Sequence, residues 1–365
     1  MFLAWSLNGG GAERKCAVLA NEIARRGYAV SILTICTEHP NDYPLHSAVR
    51  RMSMNDSAVN QTSYFNRTKS LLRRLWIVRK TIQRENPFAL VSVGHAQAVL
   101  GIIGRKSRRM DFLWTTSSTH AFDTGHVRFR LLRHFSKRGQ LTLIAQTETI
   151  QDEYLSIGFN DTITIPNPVH IPPVPVRQRS SERPIRIITV GRLVSEKSYE
   201  DLIDALALLK DAKTDWTCQI IGEGPLQGEL KERCRSHGLE RRVEFTGWVG
   251  DVRAALQQSD LFVMTSSVEG QPNALLEAMS ESLPCISTDF KGGSARTLLA
   301  STRAGIVVPV GDKRAIADSI QSLMEDQDQR RELGARGRNA VMPFSSDRVT
   351  DRWVEVLRLK ELRSG

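Results

Sequence analysis

Residues 260–289, DLFVMTSSVEGQPNALLEAMSESLPCISTD, hold a strand, a turn, a helix and a second strand in close succession. The apolar run Leu261–Met264 predicts a buried strand, and residues 284–287 predict the next one. Between them the turn 269–273 opens an apolar helix, in which Pro272 suits a first-turn position. Because this order is typical of a parallel sheet with helical crossovers, an α/β fold is expected.

Two carboxylates in this stretch, Glu269 and Glu277, are eight residues apart. Glu269 stands where the turn meets the free N–H groups of a helix start, and such a start at the edge of a parallel sheet favours anions. Carboxylates there can accept hydrogen bonds from sugar and ribose hydroxyls, each worth about 1.5–3 kcal/mol. The alternative, equally open on spacing alone, is that Glu269 caps the helix and Glu277 is solvated.

The same stretch resembles the E-x7-E signature of retaining glycosyltransferases with the GT-B fold, the group 1 glycosyltransferases of bacterial polysaccharide and lipopolysaccharide synthesis. The matching residues are Ser266, Glu269, Gly270, Pro272, Leu275, Leu276, Glu277, Ala278, Met279 and Pro284. Two positions depart from the pattern. Ser282 stands where the family usually has glycine, and Gln271 stands where it usually has an aromatic or apolar residue. The resemblance implies two Rossmann-like domains that face a cleft.

A second loop, GRLVSEKS at 191–198, follows the predicted strand 185–190. Arg192 and Lys197 can bracket a diphosphate from two sides and stabilise the charge that builds on the leaving group without a metal. Taken alone, the loop would favour the interpretation that these are two exposed cations. It resembles the family's donor-diphosphate loop, except that Ser198 replaces the usual glycine.

Three shorter patterns resemble the family through their register. The glycine-rich turn 8–14, with Gly10 and Gly11, would line the cleft near the donor diphosphate, although a tight turn without a ligand explains three glycines as well. The turn 222–225 matches the family's GxGP sequence, and the F-x-G turn ending at Gly247 would hold the nucleobase.

Two histidines follow predicted strands. His120 comes after the strand 112–116, where the family usually places a histidine that faces the sugar, so the resemblance implies a catalytic role. The competing interpretation is a histidine satisfied within its loop. His95, after the strand 89–93, is expected to be structural or to lie near the acceptor.

The chain is expected to form two domains, because 365 residues are long for one core. We place an acceptor domain at 1–165, a proline-rich linker at 166–184 and a donor domain at 185–345. Residues 346–365 are expected to form a helix that crosses back to the first domain. The first predicted strand, 2–7, is short, which fits a natural chain start upstream of the first residue.

The composition is that of an ordinary globular protein, with 41% hydrophobic and 25% charged residues. No apolar run approaches the ~20 residues that span a bilayer, and the first residues lack the basic flank of a secretory signal. Five scattered cysteines without C-x-x-C spacing predict core thiols in a reducing compartment. A cytoplasmic protein is therefore expected.

The net charge of +10 lies entirely in the first half of the chain, where residues 1–165 hold 22 Lys and Arg against 12 Asp and Glu. This excess predicts a polyanionic partner, either a membrane or a nucleic acid. The basic helix 66–86 and the segment 128–138 favour peripheral docking on the inner face of the cytoplasmic membrane. A helix packed on the sheet with solvated arginines is the alternative. No nucleic-acid motif is present, so a nucleic-acid-binding protein is not expected.

The resemblance implies metal-independent, retaining transfer of a hexosyl group from a UDP- or GDP-linked sugar to a glycan or lipid-linked acceptor, with no cofactor. Catalytic roles are implied for Glu269, His120, Arg192 and Lys197. Donor contacts are implied for Gly10, Gly11, Gly191, Arg192, Lys197, Gly247, Glu269, Gly270, Gln271, Pro272, Asn273, Leu276 and Glu277. The D-x-D at 326–328 lies in polar helical sequence and predicts no metal site. A nucleotide-sugar epimerase of the same fold is the second reading.

Overall fold

The protein divides into two compact units in the computed structural model. The first unit is Met1–Pro168 with Ser346–Gly365, and the second is Val169–Ser345. The structure describes residues 1–8, 10–55, 64–104, 110–115, 125–173 and 184–358.

The first unit is a parallel sheet flanked by helices. In its described part the strand order is β3-β2-β1-β4-β5-β6-β7, and every neighbouring pair is parallel. The strands are β1 Phe2–Ala4, β2 Val30–Thr34, β3 Val49–Ser53, β4 Ala89–Val93, β5 Met110–Trp114, β6 Leu141–Ala145 and β7 Thr162–Thr164. The helices are α1 Gly11–Arg25, α2 Tyr64–Glu85, α3 His95–Gly104, α4 Val127–Lys137, α5 Glu148–Ser156 and, from the end of the chain, α12 Ser346–Val356.

The first strand, which was predicted at 2–7, is shorter in the structure. The strand β1 ends at Ala4 and the chain bends at Trp5. Within β1 all three residues are buried, because the strand lies between β2 and β4 and is covered on both faces.

The helix α12 completes the core of the first unit. Trp353 is fully buried, and its ring centroid lies 4.9 Å from that of Trp114 on β5. Val349 and Val354 are buried in the same cluster as the side chains of α1. Burial of a side chain of this size contributes about 1.5–3 kcal/mol, so α12 is an integral part of this core.

The second unit is also a parallel sheet with helices. Its strand order is β10-β9-β8-β11-β12-β13. The strands are β8 Ile185–Val190, β9 Trp216–Ile221, β10 Val243–Gly247, β11 Leu261–Met264, β12 Cys285–Thr288 and β13 Gly305–Val308. The helices are α6 Tyr199–Leu208, α7 Gln227–Ser236, α8 Val252–Gln258, α9 Asn273–Ser280, α10 Lys313–Glu325 and α11 Gln327–Val341. The expected α/β fold class is confirmed in both units.

Part of the segment that was predicted as a linker, 166–184, is held by hydrogen bonds. Val169 is buried, and its N–H donates to the carbonyl of Phe344 at 2.8 Å. Arg338 donates to the carbonyl of Pro172 in the same unit. The start of the segment therefore packs on the second unit, while residues 174–183 lie outside the described residues.

Two serines occupy positions where the family pattern has glycine, and both adopt left-handed backbone. Ser198 has φ 45° and Ser282 has φ 58°. Ser282 follows α9, and the N–H of Leu283 donates to the carbonyl of Ala278 at 3.0 Å, which closes the helix end. A left-handed non-glycine residue costs about 1–2 kcal/mol, so these turns form at a conformational cost.

Replacing Ser282 by glycine should remove that cost. We expect Ser282→Gly to raise the free energy of unfolding of the second unit by about 0.5–1 kcal/mol, measured by calorimetry or urea denaturation. Ser301→Gly is the control, because Ser301 has φ −63° and gains nothing from glycine. Equal stability of the two variants would contradict the assignment of strain to Ser282.

Candidate active site

The candidate site lies in the second unit, where two adjacent parallel strands end at the same edge of the sheet. Leu261 of β11 is in register with Ile187 of β8. The loops that leave these strands, 191–198 and 265–272, therefore emerge side by side. An open α/β sheet binds ligands at this carboxyl edge.

Hydrogen bonds join the two loops. The Thr265 hydroxyl donates to the Lys197 carbonyl at 3.0 Å. The N–H of Ser267 donates to the Glu196 carbonyl at 2.9 Å. Both contacts end on backbone carbonyls of the first loop, so they fix the path of the two loops relative to each other.

The two predicted charged residues, Lys197 and Glu269, contact each other. The Lys197 ammonium donates to Oε1 of Glu269, and the Ser266 hydroxyl donates to the same oxygen at 2.8 Å. The side chains of Lys197 and Glu269 are 22% and 14% exposed. The resemblance implied contacts of these two residues with different parts of the donor, and in the structure they form one partly buried ion pair.

Tyr199, the first residue of α6, lies close enough to this pair for the charge of Glu269 to act on it, and it was missed by sequence reasoning. It is buried, and a Cβ at Gly191 would lie 2.9 Å from its hydroxyl oxygen. Burial first, and then the charge of Glu269, raise the pKa of Tyr199 above its usual value. The phenol therefore stays protonated beside the carboxylate. The signal available in the sequence was an aromatic residue two positions after Lys197.

A third loop, 289–294, holds the backbone of the Glu269 turn. The N–H of Glu269 donates to the Lys291 carbonyl at 3.1 Å. The hydroxyl of Ser294, which is buried, donates to the Gly270 carbonyl at 2.7 Å. Gly292 and Gly293 follow with φ 108° and 68°, values that favour glycine. Ser294 was not singled out from sequence because its role depends on a neighbouring loop.

The glycines of the turn 222–225 are required by close approach of backbone. A Cβ at Gly222 would overlap the Gly191 carbonyl, and one at Gly224 would overlap the Leu193 carbonyl. The N–H of Leu193 also donates to the Glu223 carbonyl at 2.9 Å. This turn therefore shapes the loop that carries Arg192 and Lys197.

The helix α9 begins one residue later than the sequence suggested. Pro272 is the N-cap residue, with φ −74° and ψ 119°, and is not in the first turn. Its extended ψ leaves its carbonyl to accept from the Leu276 N–H at 3.2 Å, the first bond of the helix. Glu277 is half-buried about one turn into α9, as expected.

The remaining predicted donor residues of the second unit are distributed around the same edge. Arg192 is exposed in the first loop, and Gly247 ends β10 with φ 72°. Gln271 is buried, with 6% of its surface exposed. Asn273 is the first residue of α9, and Leu276 is buried within that helix.

The predicted residues of the first unit are described only in part. Gly10 is the N-cap of α1 and Gly11 is its first residue. His95 is buried, and its ring lies 2.7 Å from the Tyr154 hydroxyl. Burial and the nearby charge of Arg128 lower the pKa of His95 to about 3, so the ring is neutral. His120 lies outside the described residues.

A buried lysine, Lys15, lies in the first turns of α1, directly after the glycine turn of the first unit. The ammonium of Lys15 donates to the Thr115 carbonyl at 3.1 Å and lies 4.6 Å from the centroid of the Trp114 ring. The Gln146 amide donates to the same carbonyl at 2.6 Å. Burial lowers the pKa of Lys15 to about 7, against smaller raising effects of Glu13 and Cys16.

Comparison with known proteins agrees with these features. Over 98% of this chain and 97% of the relative, the protein is 23% identical to the Campylobacter jejuni enzyme GalNAc-alpha-(1->4)-GalNAc-alpha-(1->3)-diNAcBac-PP-undecaprenol alpha-1,4-N-acetyl-D-galactosaminyltransferase. The lipopolysaccharide outer core galactosyltransferase WaaB superposes with a TM-score of 0.73 at 20% identity, over 98% of this chain and 99% of that one. Anabaena HepE in complex with UDP gives a TM-score of 0.75 at 19% identity, over 98% of both chains.

The superpositions show that the chain has the GT-B fold. Residues 174–340, a little under half of the chain, match the family model of glycosyl transferases group 1, as the resemblance of the sequence motifs predicted. The relatives compared are transferases by name, so the epimerase reading is not favoured.

The low pKa of Lys15 predicts a pH-dependent stability. Between about pH 7 and 10.5 the unfolded chain binds a proton at Lys15 that the folded chain does not, so stability from this group rises with pH. From pH 7 to 9 the rise from this group should be on the order of 2–3 kcal/mol, and Lys15→Met should remove this part of the rise.

The measurement is urea denaturation of both proteins at pH 7, 8 and 9. The window stops at pH 9 because the pKa of Cys16 is raised to about 12, which opposes the trend above that pH. Parallel pH profiles of the two proteins would show that Lys15 is charged in the folded state and would refute the prediction.

Proposed function

We propose that this protein transfers a hexosyl group from a nucleotide diphosphate sugar to a glycan or lipid-linked glycan in bacterial cell-surface polysaccharide synthesis, with retention of anomeric configuration. The observation that carries the proposal is the ion pair of Lys197 and Glu269 at the carboxyl edge of the sheet, beside the start of α9. A cation and a carboxylate held together there suit the two halves of such a donor, its diphosphate and its sugar hydroxyls.

Arg192 and Lys197 are the proposed diphosphate ligands. Arg192 is exposed, and Lys197 is held in place by its contact with Glu269. An ammonium has three N–H donors, so Lys197 can contact a phosphate oxygen while it keeps its bond to Glu269. Fixed cations at this position stabilise the charge that grows on the departing diphosphate. The donor base is proposed as uridine or guanosine, and the UDP complex of HepE supports the former.

Glu269 and the N–H groups of residues 270–273 are the proposed sugar ligands, and Glu277 is the proposed ribose ligand. Ser266 and Lys197 together orient one oxygen of Glu269, which fixes the direction in which the other can accept a sugar hydroxyl. In a retaining transfer the acceptor oxygen bonds to the anomeric carbon on the face that the diphosphate leaves. A phosphate oxygen takes the acceptor proton, and His120 is proposed to face the sugar.

The reaction is proposed to need no metal and no cofactor. The cations Arg192 and Lys197 supply the charge that a divalent ion would provide at the diphosphate. The D-x-D at 326–328 has a structural explanation, because Asp326 caps α11 by accepting from the Gln329 N–H at 2.8 Å. Both aspartates are exposed.

The acceptor is proposed to be lipid-linked and presented at the cytoplasmic face of a membrane. The Campylobacter relative carries an undecaprenol-linked glycan in its name, which supports this acceptor class. The basic first half of the chain supports an anionic surface as partner. Among the described residues, none of the helices is both long and apolar enough to cross a bilayer.

Removing either member of the ion pair should stop transfer and leave the fold intact. We expect Lys197→Ala and Glu269→Ala to lower kcat/KM at least roughly 100-fold, because each loses a charged contact with the reacting donor. The measurement is release of nucleotide diphosphate with a bacterial lipid-linked acceptor, with circular dichroism to monitor the fold. The matched control is Arg314→Ala, which breaks an exposed pair with Asp318. Rates within about tenfold of the parent would contradict these roles.

Donor binding should be visible as a metal-independent thermal shift. We expect one nucleoside diphosphate, at about 100 times its Kd, to add about 2.7 kcal/mol of stability, with or without EDTA. Thermal unfolding against UDP, GDP and their sugars measures this and names the base. A shift that EDTA abolishes would overturn the metal-free proposal, and no shift with any nucleotide would overturn the proposed donor class.

A further inference from the structure

In the part of α2 whose side chains the structure describes, residues 70–85, the buried residues lie on one side of the helix. Val78 is fully buried, and Ser70 and Thr81 are 8% exposed on the same side. This confirms the sequence expectation of a long helix at 66–86, which begins slightly earlier in the structure. The packed side does not include all of the helix's apolar residues.

Several large apolar side chains of α2 point outward instead. Leu72 is 62% exposed, Trp76 is 61% exposed and Leu71 is 49% exposed. Leu72 and Trp76 are one helical turn apart and lie on the same face. Ile103 of α3 is 48% exposed next to Gly104, whose Cβ would lie 3.3 Å from the Arg79 N. The exposed face of α2 is therefore not the polar surface expected of a solvated helix.

Cations surround these outward apolar residues. Arg73, Arg79, Lys80 and Arg84 are all exposed, and the Lys80 ammonium lies 4.8 Å from the centroid of the Trp76 ring. The acid of this helix, Glu85, is only 11% exposed and pairs with Arg50 and Arg84. The outward face thus combines an aromatic and leucines with several exposed cations.

We propose that this face of α2 docks on the surface of an anionic lipid bilayer, with Leu72 and Trp76 entering the headgroup region and Arg73, Arg79 and Lys80 contacting lipid phosphates. Tryptophan and leucine beside arginine and lysine suit an interfacial helix that lies on a membrane without crossing it. The assignment deepens the proposed function, since it would bring the first unit to a lipid-linked acceptor.

Charge complementarity favours a bilayer over a second copy of the chain as the occupant. The sequence of α2 holds seven Lys and Arg against one Glu. In a symmetric dimer through this face the same cations would oppose each other across the interface, and like charges there are unfavourable. An anionic lipid surface offers opposite charge over the whole length of the helix.

Co-sedimentation with vesicles tests the proposal on the full chain. The protein should bind phosphatidylcholine vesicles that contain about 30% phosphatidylglycerol and not vesicles of phosphatidylcholine alone. Leu72→Ser with Trp76→Ser should weaken binding at least about tenfold. Arg73→Gln with Arg79→Gln and Lys80→Gln should weaken it about 100-fold, at roughly fivefold for each charge.

Leu155→Ser is the matched control, because Leu155 is also a leucine of the first unit, on α5, and is 42% exposed. It should bind anionic vesicles like the parent. Equal binding of all variants, equal binding to neutral vesicles, or loss of a dimer in the Leu72 and Trp76 variant by analytical ultracentrifugation would each overturn the proposal.

Transfer to a water-soluble acceptor analogue separates this proposal from the proposed function. The docking variants should keep the parent rate on such an acceptor, because none of the changed residues belongs to the proposed donor site. Parent-like vesicle binding by a protein that transfers no sugar would remove the proposed function and leave the docking face in place. Normal transfer without any vesicle binding would remove the docking face and leave the proposed function in place.

Discussion

The parallel register of β8 and β11 is the constraint on which the candidate site depends. It brings two loops from distant parts of the chain to one edge of the second unit's sheet, and hydrogen bonds from Thr265 and Ser267 then fix their relative path. Only after that alignment can Lys197 and Glu269 meet. The pair is partly buried, and a buried charge without a partner would cost several kcal/mol, so each residue makes the other tolerable. The chemistry of the site is thus a property of the sheet as much as of its side chains.

Backbone approach sets a second requirement around the same loops. Gly222 and Gly224 lie where a side chain would overlap the carbonyls of the first loop, and Ser294 closes the turn on the other side. The loops after four strands, β8, β9, β11 and β12, therefore support one another through contacts with main-chain carbonyls. Rigid support of this kind lets charged groups stay in place for a ligand instead of being ordered by it, which reduces the cost of binding.

Local patterns predicted the strands and helices of the second unit well. The strands β8 and β11 have the expected bounds, because short apolar runs between turn residues specify buried parallel strands. Strand β3, with its sequence VRRMS, was missed because an edge strand of mostly half-buried residues gives no apolar run. The contact of Lys197 with Glu269, the support from Ser294 and the outward direction of Trp76 were not predictable, since each depends on a neighbouring element that is remote in sequence.

The position of α12 has a consequence for how the protein is made. Trp353 fills the core of the first unit against Trp114, yet it is separated from the rest of that unit by the whole second unit. During vectorial synthesis on the ribosome the second unit has all of its residues before the first unit has its last helix. The first unit, although most of it is translated first, can reach its finished core only after its last helix has been made, so the second unit can complete its fold before the first does.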